Sequence, residues 1–203
     1  MNNLPSHVTI REVCLRDGLQ LEDPIPLAAK LELLEAIVAM GVREIEATAF
    51  VSPSKVPALA DAAALAAELP QFEGVEFSAL VAGPGGAHRA IAAGMKSLEY
   101  VVSAADGHSQ ANVGRSTADS TQLISDIAGI AHDGGASIEV IIATAWDCPF
   151  DGPTDPARVV DIASATKDFG ADRVAVADTI GTTTPVRMTR LVTAVREACP
   201  AKT

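Results

Sequence analysis

The sequence predicts an α/β fold in which parallel strands alternate with helices, and three observations support this. A glycine is followed four times by a few polar residues and then by a β-branched run, as expected where a helix ends and a buried strand begins. Helix-start signals lie between these runs. Hydrophobic residues make up 48% of the chain but aromatic residues only 3%, which is typical of parallel sheets covered by helices.

Six strands and the helices between them follow in order along the chain. The predicted strands are Val8–Val13, Glu44–Thr48, Val75–Val81, Ser97–Ser103, Ser137–Thr144 and Arg173–Thr179. The glycines that precede the second, fourth, fifth and sixth strands are Gly41, Gly94, Gly135 and Gly170. The first helix presents one apolar face, formed by Leu27, Leu31, Leu34 and Val38. Asp155-Pro156 and Thr184-Pro185 each combine an N-cap residue with proline at the first helical position, so each predicts a helix start.

These units fit two architectures, an open doubly wound sheet or a (β/α)8 barrel of which the chain holds the first six β-α units. The open sheet of a dinucleotide-binding protein needs G-x-G-x-x-G after its first strand, where this chain has Arg16-Asp17-Gly18-Leu19-Gln20. The barrel is therefore favoured and the open sheet is kept as the alternative. The chain ends just past a helix, so we expect residues 1–203 to be a single barrel domain truncated at its C-terminus.

Composition argues against several classes of partner and location. The net charge of −11 argues against nucleic acids and anionic membranes as partners. No apolar run approaches the roughly 20 residues that cross a bilayer, and the N-terminus lacks the features of a signal peptide, so we expect a cytoplasmic protein. The three cysteines, Cys14, Cys148 and Cys199, are widely spaced and odd in number, which favours reduced thiols over a disulfide framework.

Residues able to do chemistry gather after the predicted strands, because the C-terminal ends of parallel strands share one rim of the fold. The candidates are Arg16, Asp17 and Gln20 after the first strand, Glu46 and Thr48 on the second, Ser103, His108 and Asn112 after the fourth, Thr144 and Cys148 after the fifth, and Asp178 and Thr179 at the sixth. A guanidinium can hold a developing oxyanion, while carboxylates take a hard divalent cation such as Mg²⁺ or Mn²⁺. The rim therefore predicts a metal-assisted active site.

Each charged candidate also has a simpler structural interpretation. Arg16 and Asp17 could form a local ion pair within a turn, and Glu46 could pair with an arginine inside a barrel. Asp178 and Thr179 could do no more than fix the turn before the next helix. The convergence of these residues on one rim favours the functional interpretation over three separate structural ones.

Other polar residues are assigned differently. His108 lies in a predicted polar loop, 106–112, where contact with a substrate and simple solvation both stay open. Glu44, Glu99 and Glu139 lie nearer the starts of their strands, so we expect them to stabilise the opposite rim.

Three stretches of the chain resemble hydroxymethylglutaryl-CoA lyase, within the wider family of metal-dependent TIM-barrel lyases and synthases. They are Glu12–Gln20 (EVCLRDGLQ), Ile45–Pro53 (IEATAFVSP) and Asp178–Gly181 (DTIG), and the likeness runs in the same order over nearly the whole chain. Arg-Asp-Gly-x-Gln alone would also fit the isopropylmalate and citramalate synthases, whereas the second stretch favours the lyase.

The resemblance implies metal-dependent cleavage of 3-hydroxy-3-methylglutaryl-CoA to acetoacetate and acetyl-CoA, by a homo-oligomer acting in leucine degradation. It implies that Asp17 binds Mg²⁺ or Mn²⁺, that Arg16 stabilises the enolate, and that Glu46 orients both Arg16 and the metal-bound groups. Asp178 would support proton transfer from the substrate hydroxyl. The substrate-binding residues that it implies are Gln20, Thr48, His108, Asn112 and Thr179.

Two departures from the family pattern matter. The His-x-His metal ligands and the glycine-rich loop with a catalytic cysteine, both placed further along in the family, are absent from these 203 residues. Ala49 stands where many relatives carry serine. We therefore expect the 203-residue piece alone to be poorly soluble or inactive. A lyase or synthase acting on another acyl-CoA or 2-oxo acid, and a non-catalytic barrel relative, are the alternatives.

Overall fold

The computed structural model describes residues 7–200. In this part of the chain the strands are β1 (Arg11–Glu12), β2 (Glu44–Phe50), β3 (Glu76–Val81), β4 (Ser97–Ser103), β5 (Ser137–Ala143), β6 (Asp147–Cys148), β7 (Gly152–Pro153) and β8 (Arg173–Val176). The helices are α1 (Leu27–Ala39), α2 (Ala62–Glu68), α3 (Pro84–Ala92), α4 (Asp106–Val113), α5 (Thr117–Asp133), α6 (Pro156–Asp168) and α7 (Pro185–Ala198). A five-residue π-helical turn, Cys14–Gly18, follows β1. No described helix is both long and apolar enough to cross a membrane.

Six of the strands form one parallel sheet in the order β1-β2-β3-β4-β5-β8, while β6 and β7 form a small antiparallel pair. A doubly wound sheet reverses its strand order at a switch point, and this sheet does not. Arg11 on β1 contacts Glu99 on β4 and Glu139 on β5, which are not neighbours of β1 in the sheet. The sheet is therefore curled into a half-barrel. The predicted barrel of six units is confirmed, and the open-sheet alternative is wrong.

The helices pack on the sheet largely as their patterns predict. Leu34 of α1 is fully buried, and the other predicted members of its apolar face pack against the core. The Asp155 carboxylate accepts a hydrogen bond from the Ala157 N–H at 2.9 Å, and the Thr184 hydroxyl accepts one from the Arg187 N–H at 3.4 Å. Both predicted helix starts are confirmed.

Two element predictions need correction. The first strand is limited to Arg11–Glu12, because the chain turns into the Cys14–Gly18 π-helical turn directly after it. The segment 106–112, predicted as a polar loop, belongs to helix α4. Only Ser109 of this helix is buried, so no apolar periodicity reveals it in the sequence. Gly114, at φ 70°, supplies the left-handed residue that ends it.

A cluster of charged side chains lies in the interior near the strand starts. The Arg11 guanidinium lies 2.9 Å from Glu99, 2.6 Å from Glu139 and 3.7 Å from Glu44. Ser78 donates a further hydrogen bond to Glu99. The three glutamates lie where the sequence places them, at the rim opposite the candidate site, and the contacts with Arg11 compensate for burying Glu99 and Glu139.

Gly86 in α3 packs directly against the end of β2. A Cβ atom at this position would lie 2.5 Å from the Phe50 carbonyl oxygen, which also accepts a hydrogen bond from Arg89 at 3.0 Å. We expect Gly86→Ala to lower the free energy of unfolding by about 1–3 kcal/mol, because the helix must move off the strand. Urea denaturation measures this.

Gly129 offers a matched control, since it lies on an exposed position of α5 and an added Cβ would meet no atom within 4 Å. Gly129→Ala should leave stability unchanged or raise it by up to about 1 kcal/mol. Equal effects of the two substitutions would contradict the close approach at Gly86.

Candidate active site

Arg16 is held between two carboxylates at the C-terminal rim of the half-barrel. The turn after β1 carries Arg16 and Asp17, whose side chains lie 2.8 Å apart at Nη1 and Oδ1. Arg16 Nε lies 2.7 Å from Glu46 Oε1 on β2, an ion pair whose N–H direction is poor for a hydrogen bond. Gln20 donates to the same Asp17 oxygen at 2.8 Å. The structure therefore brings together four of the predicted site residues.

Glu46 is the most deeply buried of these groups, with 1% of its surface exposed. Burial, opposed by the ion pair with Arg16 and reinforced by the negative charge of Glu99, raises the pKa of Glu46 to about 7. The register of β2 against β3 shifts between Glu46 and Thr48, which marks a bulge next to the site. The Thr48 hydroxyl is buried and has no hydrogen-bond partner among the described residues.

The raised pKa of Glu46 makes stability depend on pH in a defined direction. Between the ordinary value of 4.5 and about 7, the folded chain keeps a proton on Glu46 that the unfolded chain has released. The stabilisation from this group is therefore complete below pH 4.5 and is lost as the pH rises through 7. The side chain introduced by Glu46→Gln cannot ionise, so the variant lacks this pH dependence. Between pH 5 and 8, the free energy of unfolding of wild type should therefore fall by about 1–3 kcal/mol more than that of the variant. Urea titrations at both pH values test this, and parallel profiles would contradict it.

A second contact on the rim links Ser103, at the end of β4, to His108 on α4. The Ser103 hydroxyl and His108 Nδ1 lie 2.6 Å apart, and burial lowers the pKa of His108, which favours the neutral imidazole. The His108 ring lies 6.4 Å from the ring of Phe150 in the loop after β6. Asn112, on the same helix as His108, is exposed. These contacts place His108 at the rim as a fixed, neutral group.

Asp178 and Thr179 follow β8 at the other edge of the sheet. The Asp178 carboxylate accepts hydrogen bonds from the backbone N–H of Thr182 at 3.1 Å and of Thr183 at 2.9 Å. Thr179 Oγ1 accepts one from the Thr144 N–H at 2.7 Å. Among the described residues, no hydrogen bond or ion pair joins Asp178 to the group around Arg16. The two groups share the rim, but the structure connects Asp178 to its own turn, so its catalytic role stays a prediction.

The rim offers carboxylates for a cation but no complete set of ligands among the described residues. Within residues 7–200, no group of three His, Cys, Asp or Glu side chains is arranged to hold a metal ion. Asp17 is half exposed, and both of its hydrogen bonds are at Oδ1. Its Oδ2 atom is therefore available to a cation, but a single carboxylate is not a complete site. The described residues therefore do not form a metal site by themselves.

Sequence reasoning missed one charged group on this rim. Arg187 and Asp147 form a two-point ion pair, with Nη1–Oδ2 at 2.7 Å and Nη2–Oδ1 at 3.0 Å. The two residues are 40 positions apart and no local pattern joins them. The helix start at Thr184-Pro185 is the nearest signal, because it places Arg187 in the first turn of α7.

Comparison with known proteins shows which family this arrangement belongs to. A family model described as HMGL-like matches residues 7–203. The chain belongs to the HMGL-like family. It is 33% identical over 201 residues to the mitochondrial hydroxymethylglutaryl-CoA lyase of Rattus norvegicus, covering 98% of this chain and 62% of that protein. It is 36% identical over 204 residues to the (R)-citramalyl-CoA lyase of Chloroflexus aurantiacus, covering 95% and 64%.

Solved structures of HMGL-like family members agree with the half-barrel. The hydroxymethylglutaryl-CoA lyase of Pseudomonas aeruginosa matches with a TM-score of 0.92 at 34% identity, over 98% of this chain and 66% of that one. A lyase from Acinetobacter baumannii, solved with coenzyme A and 3-methylmalate, matches with a TM-score of 0.87 at 29% identity, over 93% and 62%. The resemblance stated from the motifs is confirmed, and the chain spans between three fifths and two thirds of the length of these relatives.

Proposed function

We propose that this chain carries part of the active site of a carbon–carbon lyase that cleaves 3-hydroxy-3-methylglutaryl-CoA to acetoacetate and acetyl-CoA. The observation that carries the proposal is the position of Arg16, a partly accessible guanidinium held between Asp17 and the buried Glu46 at the rim. Membership of the HMGL-like family, with relatives named as lyases of this substrate, supports the same conclusion.

Arg16 is suited to stabilise an enolate because its orientation is set before any substrate binds. Glu46 engages Nε and Asp17 engages Nη1, which fixes the plane of the guanidinium. Nη2 has no partner among the described residues and is the donor proposed to meet the thioester oxygen. A donor fixed in advance costs no reorganisation when charge develops, and removing one such donor typically costs roughly 3–4 kcal/mol of barrier.

The proposed reaction breaks one carbon–carbon bond and moves one proton. The tertiary hydroxyl of the substrate loses its proton as the C2–C3 bond breaks, which leaves a ketone on acetoacetate and an enolate on the acetyl-CoA fragment. The enolate oxygen is held by Arg16, and C2 then takes up a proton to give acetyl-CoA, so the proton gained at C2 balances the one lost by the hydroxyl. Asp178, oriented by two backbone N–H donors, is the proposed group that supports proton transfer from the hydroxyl.

We further propose that Asp17 supplies one ligand to a divalent cation, Mg²⁺ or Mn²⁺, whose other ligands are not among the described residues. Bound there, the cation would act as a Lewis acid toward the substrate hydroxyl. Gln20 supports this assignment, because its hydrogen bond to Oδ1 orients the Asp17 carboxylate.

The substrate-binding part of the proposal rests on groups that already lie on the rim. The unpartnered hydroxyl of Thr48 and the neutral imidazole of His108 can each bond to a polar atom of an acyl chain. Thr179 accepts a hydrogen bond from the Thr144 N–H, so its proposed role is to shape the wall of the site. Asn112 is exposed and would lie at the edge of the site.

Release of acetyl-CoA, measured in a coupled assay with added Mg²⁺ or Mn²⁺ and again with chelator, tests the proposal. We expect metal-dependent turnover of 3-hydroxy-3-methylglutaryl-CoA once this chain is joined to the family segment that bears the His-x-His ligands and the cysteine loop, and little or none from residues 1–203 alone. Absence of turnover by the extended protein with every acyl-CoA tested would instead support the non-catalytic alternative.

Citramalyl-CoA belongs in the same assay as a second candidate substrate. The observation that favours it is the 36% identity to the (R)-citramalyl-CoA lyase, slightly above that to the rat enzyme. Faster turnover of citramalyl-CoA than of 3-hydroxy-3-methylglutaryl-CoA would transfer the proposal to that substrate without changing the residues involved.

We also propose that the protein acts in the cytoplasm as a homo-oligomer. The three cysteines of the chain are all free thiols in the structure, which supports a reducing compartment. Cell fractionation and light scattering of the purified protein test the two parts of this proposal.

A further inference from the structure

The loop after β5 and the loop after β8 run side by side at the rim. The Ala145 N–H donates to the Ala177 carbonyl at 3.2 Å, which continues the pairing of the two strands. Thr144 is buried at φ 53°, a left-handed conformation that β-branched residues rarely adopt. Its N–H donates a hydrogen bond to Thr179 Oγ1, and its carbonyl accepts a hydrogen bond from the Thr154 hydroxyl at 2.7 Å. Hydrogen bonds therefore connect the first residues of the loop after β5 to the residues that follow β8.

Arg187 ties the two loops together further along. Its guanidinium donates one hydrogen bond to each oxygen of the Asp147 carboxylate, and Nη2 also donates to the Trp146 carbonyl at 3.1 Å. The same Asp147 carboxylate accepts a hydrogen bond from the Thr182 hydroxyl at 2.6 Å. One guanidinium on the first turn of a helix therefore holds both the loop after β5 and, through Asp147, the loop after β8.

The connection continues from Thr182 to Asp178. The Thr182 hydroxyl is bound to Asp147, while the Thr182 N–H donates to Asp178 Oδ1 and the next N–H donates to Oδ2. The position of the Asp178 carboxylate is thus set by a backbone segment that the Arg187–Asp147 pair anchors from the side. An Arg–carboxylate pair with two parallel bonds fixes direction as well as distance, which a single-point pair does not.

We propose that Arg187 is a positioning residue for the lyase reaction, which acts through Asp147 and Thr182 to hold the carboxylate of Asp178 in place. The inference rests on the proposed function, because it takes Asp178 as the group that supports proton transfer. Among the described residues, Arg187 makes no hydrogen bond or ion pair with Arg16, Asp17 or Glu46, and we assign it no contact with the substrate.

Lysine cannot replace Arg187 in this role. A single ammonium group has no planar fork, so it cannot hold both Asp147 oxygens and the Trp146 carbonyl at once. In the extended protein, Arg187→Met should lower kcat about 10- to 100-fold, the range expected when a catalytic group is slightly misplaced, and should leave KM within about twofold. Arg187→Lys should fall between Arg187→Met and wild type.

A second readout does not depend on activity. Hydrogen exchange of the Thr182 and Thr183 amides, followed by mass spectrometry of a peptide covering 178–184, reports whether these amides remain bonded to Asp178. We expect exchange at these amides to be at least several-fold faster in Arg187→Met than in wild type. Arg190→Met is the matched control, an exposed arginine on the same helix, and it should change neither exchange nor kcat.

Asp178→Asn separates failure of this inference from failure of the proposed function. If Asp178→Asn is inactive while Arg187→Met keeps wild-type kcat and wild-type exchange, the positioning role is wrong and the lyase proposal stands. If Asp178→Asn keeps full activity, the assigned role of Asp178 fails and the inference falls with it. Unchanged exchange at Thr182 and Thr183 in both Arg187 variants overturns the inference whatever the activity.

Discussion

In the protein extended by the family segment with the His-x-His ligands and the cysteine loop, replacing Arg16 by lysine should lower kcat about 100- to 1000-fold while leaving metal affinity within a few-fold of wild type. Lysine keeps the positive charge, so the buried Glu46 retains a cationic neighbour and the fold should survive. The loss falls on chemistry, because an ammonium group cannot engage Glu46 and Asp17 and still present a fixed donor to the enolate oxygen. Metal binding is spared because Asp17 is unchanged.

Steady-state kinetics with 3-hydroxy-3-methylglutaryl-CoA and calorimetric titration of Mn²⁺ provide the two measurements for Arg16→Lys. Arg43→Lys is a suitable control, since within residues 7–200 the Arg43 guanidinium donates only to the Val38 and Val42 carbonyls beside the end of α1. It should keep kcat within about twofold. Turnover of Arg16→Lys at the wild-type rate would remove the role proposed for the guanidinium.

Arg11→Met should destabilise the fold by about 3–5 kcal/mol, the largest effect on stability that we expect for a single substitution. Arg11 is the cation shared by Glu99 and Glu139, whose side chains are 2% and 11% exposed. Removing it leaves two carboxylates buried near each other, while Arg173 still lies 3.6 Å from Glu139 alone. Removing one partner of a buried ion pair is costly because the remaining charge stays out of water.

Urea denaturation at pH 7 measures the effect of Arg11→Met, with Arg158→Met as the matched control. Arg158 lies 2.6 Å from Asp106, but both side chains are about half exposed, so its loss should cost under about 1 kcal/mol. If Arg11→Met does not fold, Arg11→Lys, which keeps the charge, should fold with intermediate stability. Similar losses for Arg11→Met and Arg158→Met would show that the interior cluster contributes little.

The strand and helix pattern could be predicted from the sequence because its signals are local. A glycine at a helix end and a β-branched run act over a few residues, so five of the six sheet strands were placed to within a few residues. Helix α4 was missed for the same reason, because it buries little more than Ser109 and has no apolar face to detect. Its first residues are held by hydrogen bonds with other segments, from the Gly107 N–H to Asp151 and from the Thr117 N–H to Asp106.

The candidate site was predictable in part. The parallel fold alone places Arg16, Asp17 and Glu46 at one rim, and the structure joins them in contact. The connection of Asp178 to its own turn, and the two-point pair of Arg187 with Asp147, depend on how two loops meet across the end of the sheet.

The amino-acid sequence by itself determined the order of the strands, the helix starts, the family motifs and the residue types available at the rim. Only the tertiary structure decided that Arg11 meets Glu99 and Glu139, that Glu46 is buried deeply enough for its pKa to rise, and that Arg187 supports the loop of Asp178. The reason is physical: propensities act between near neighbours in the chain, whereas burial and long-range ion pairs depend on the curvature of the whole sheet.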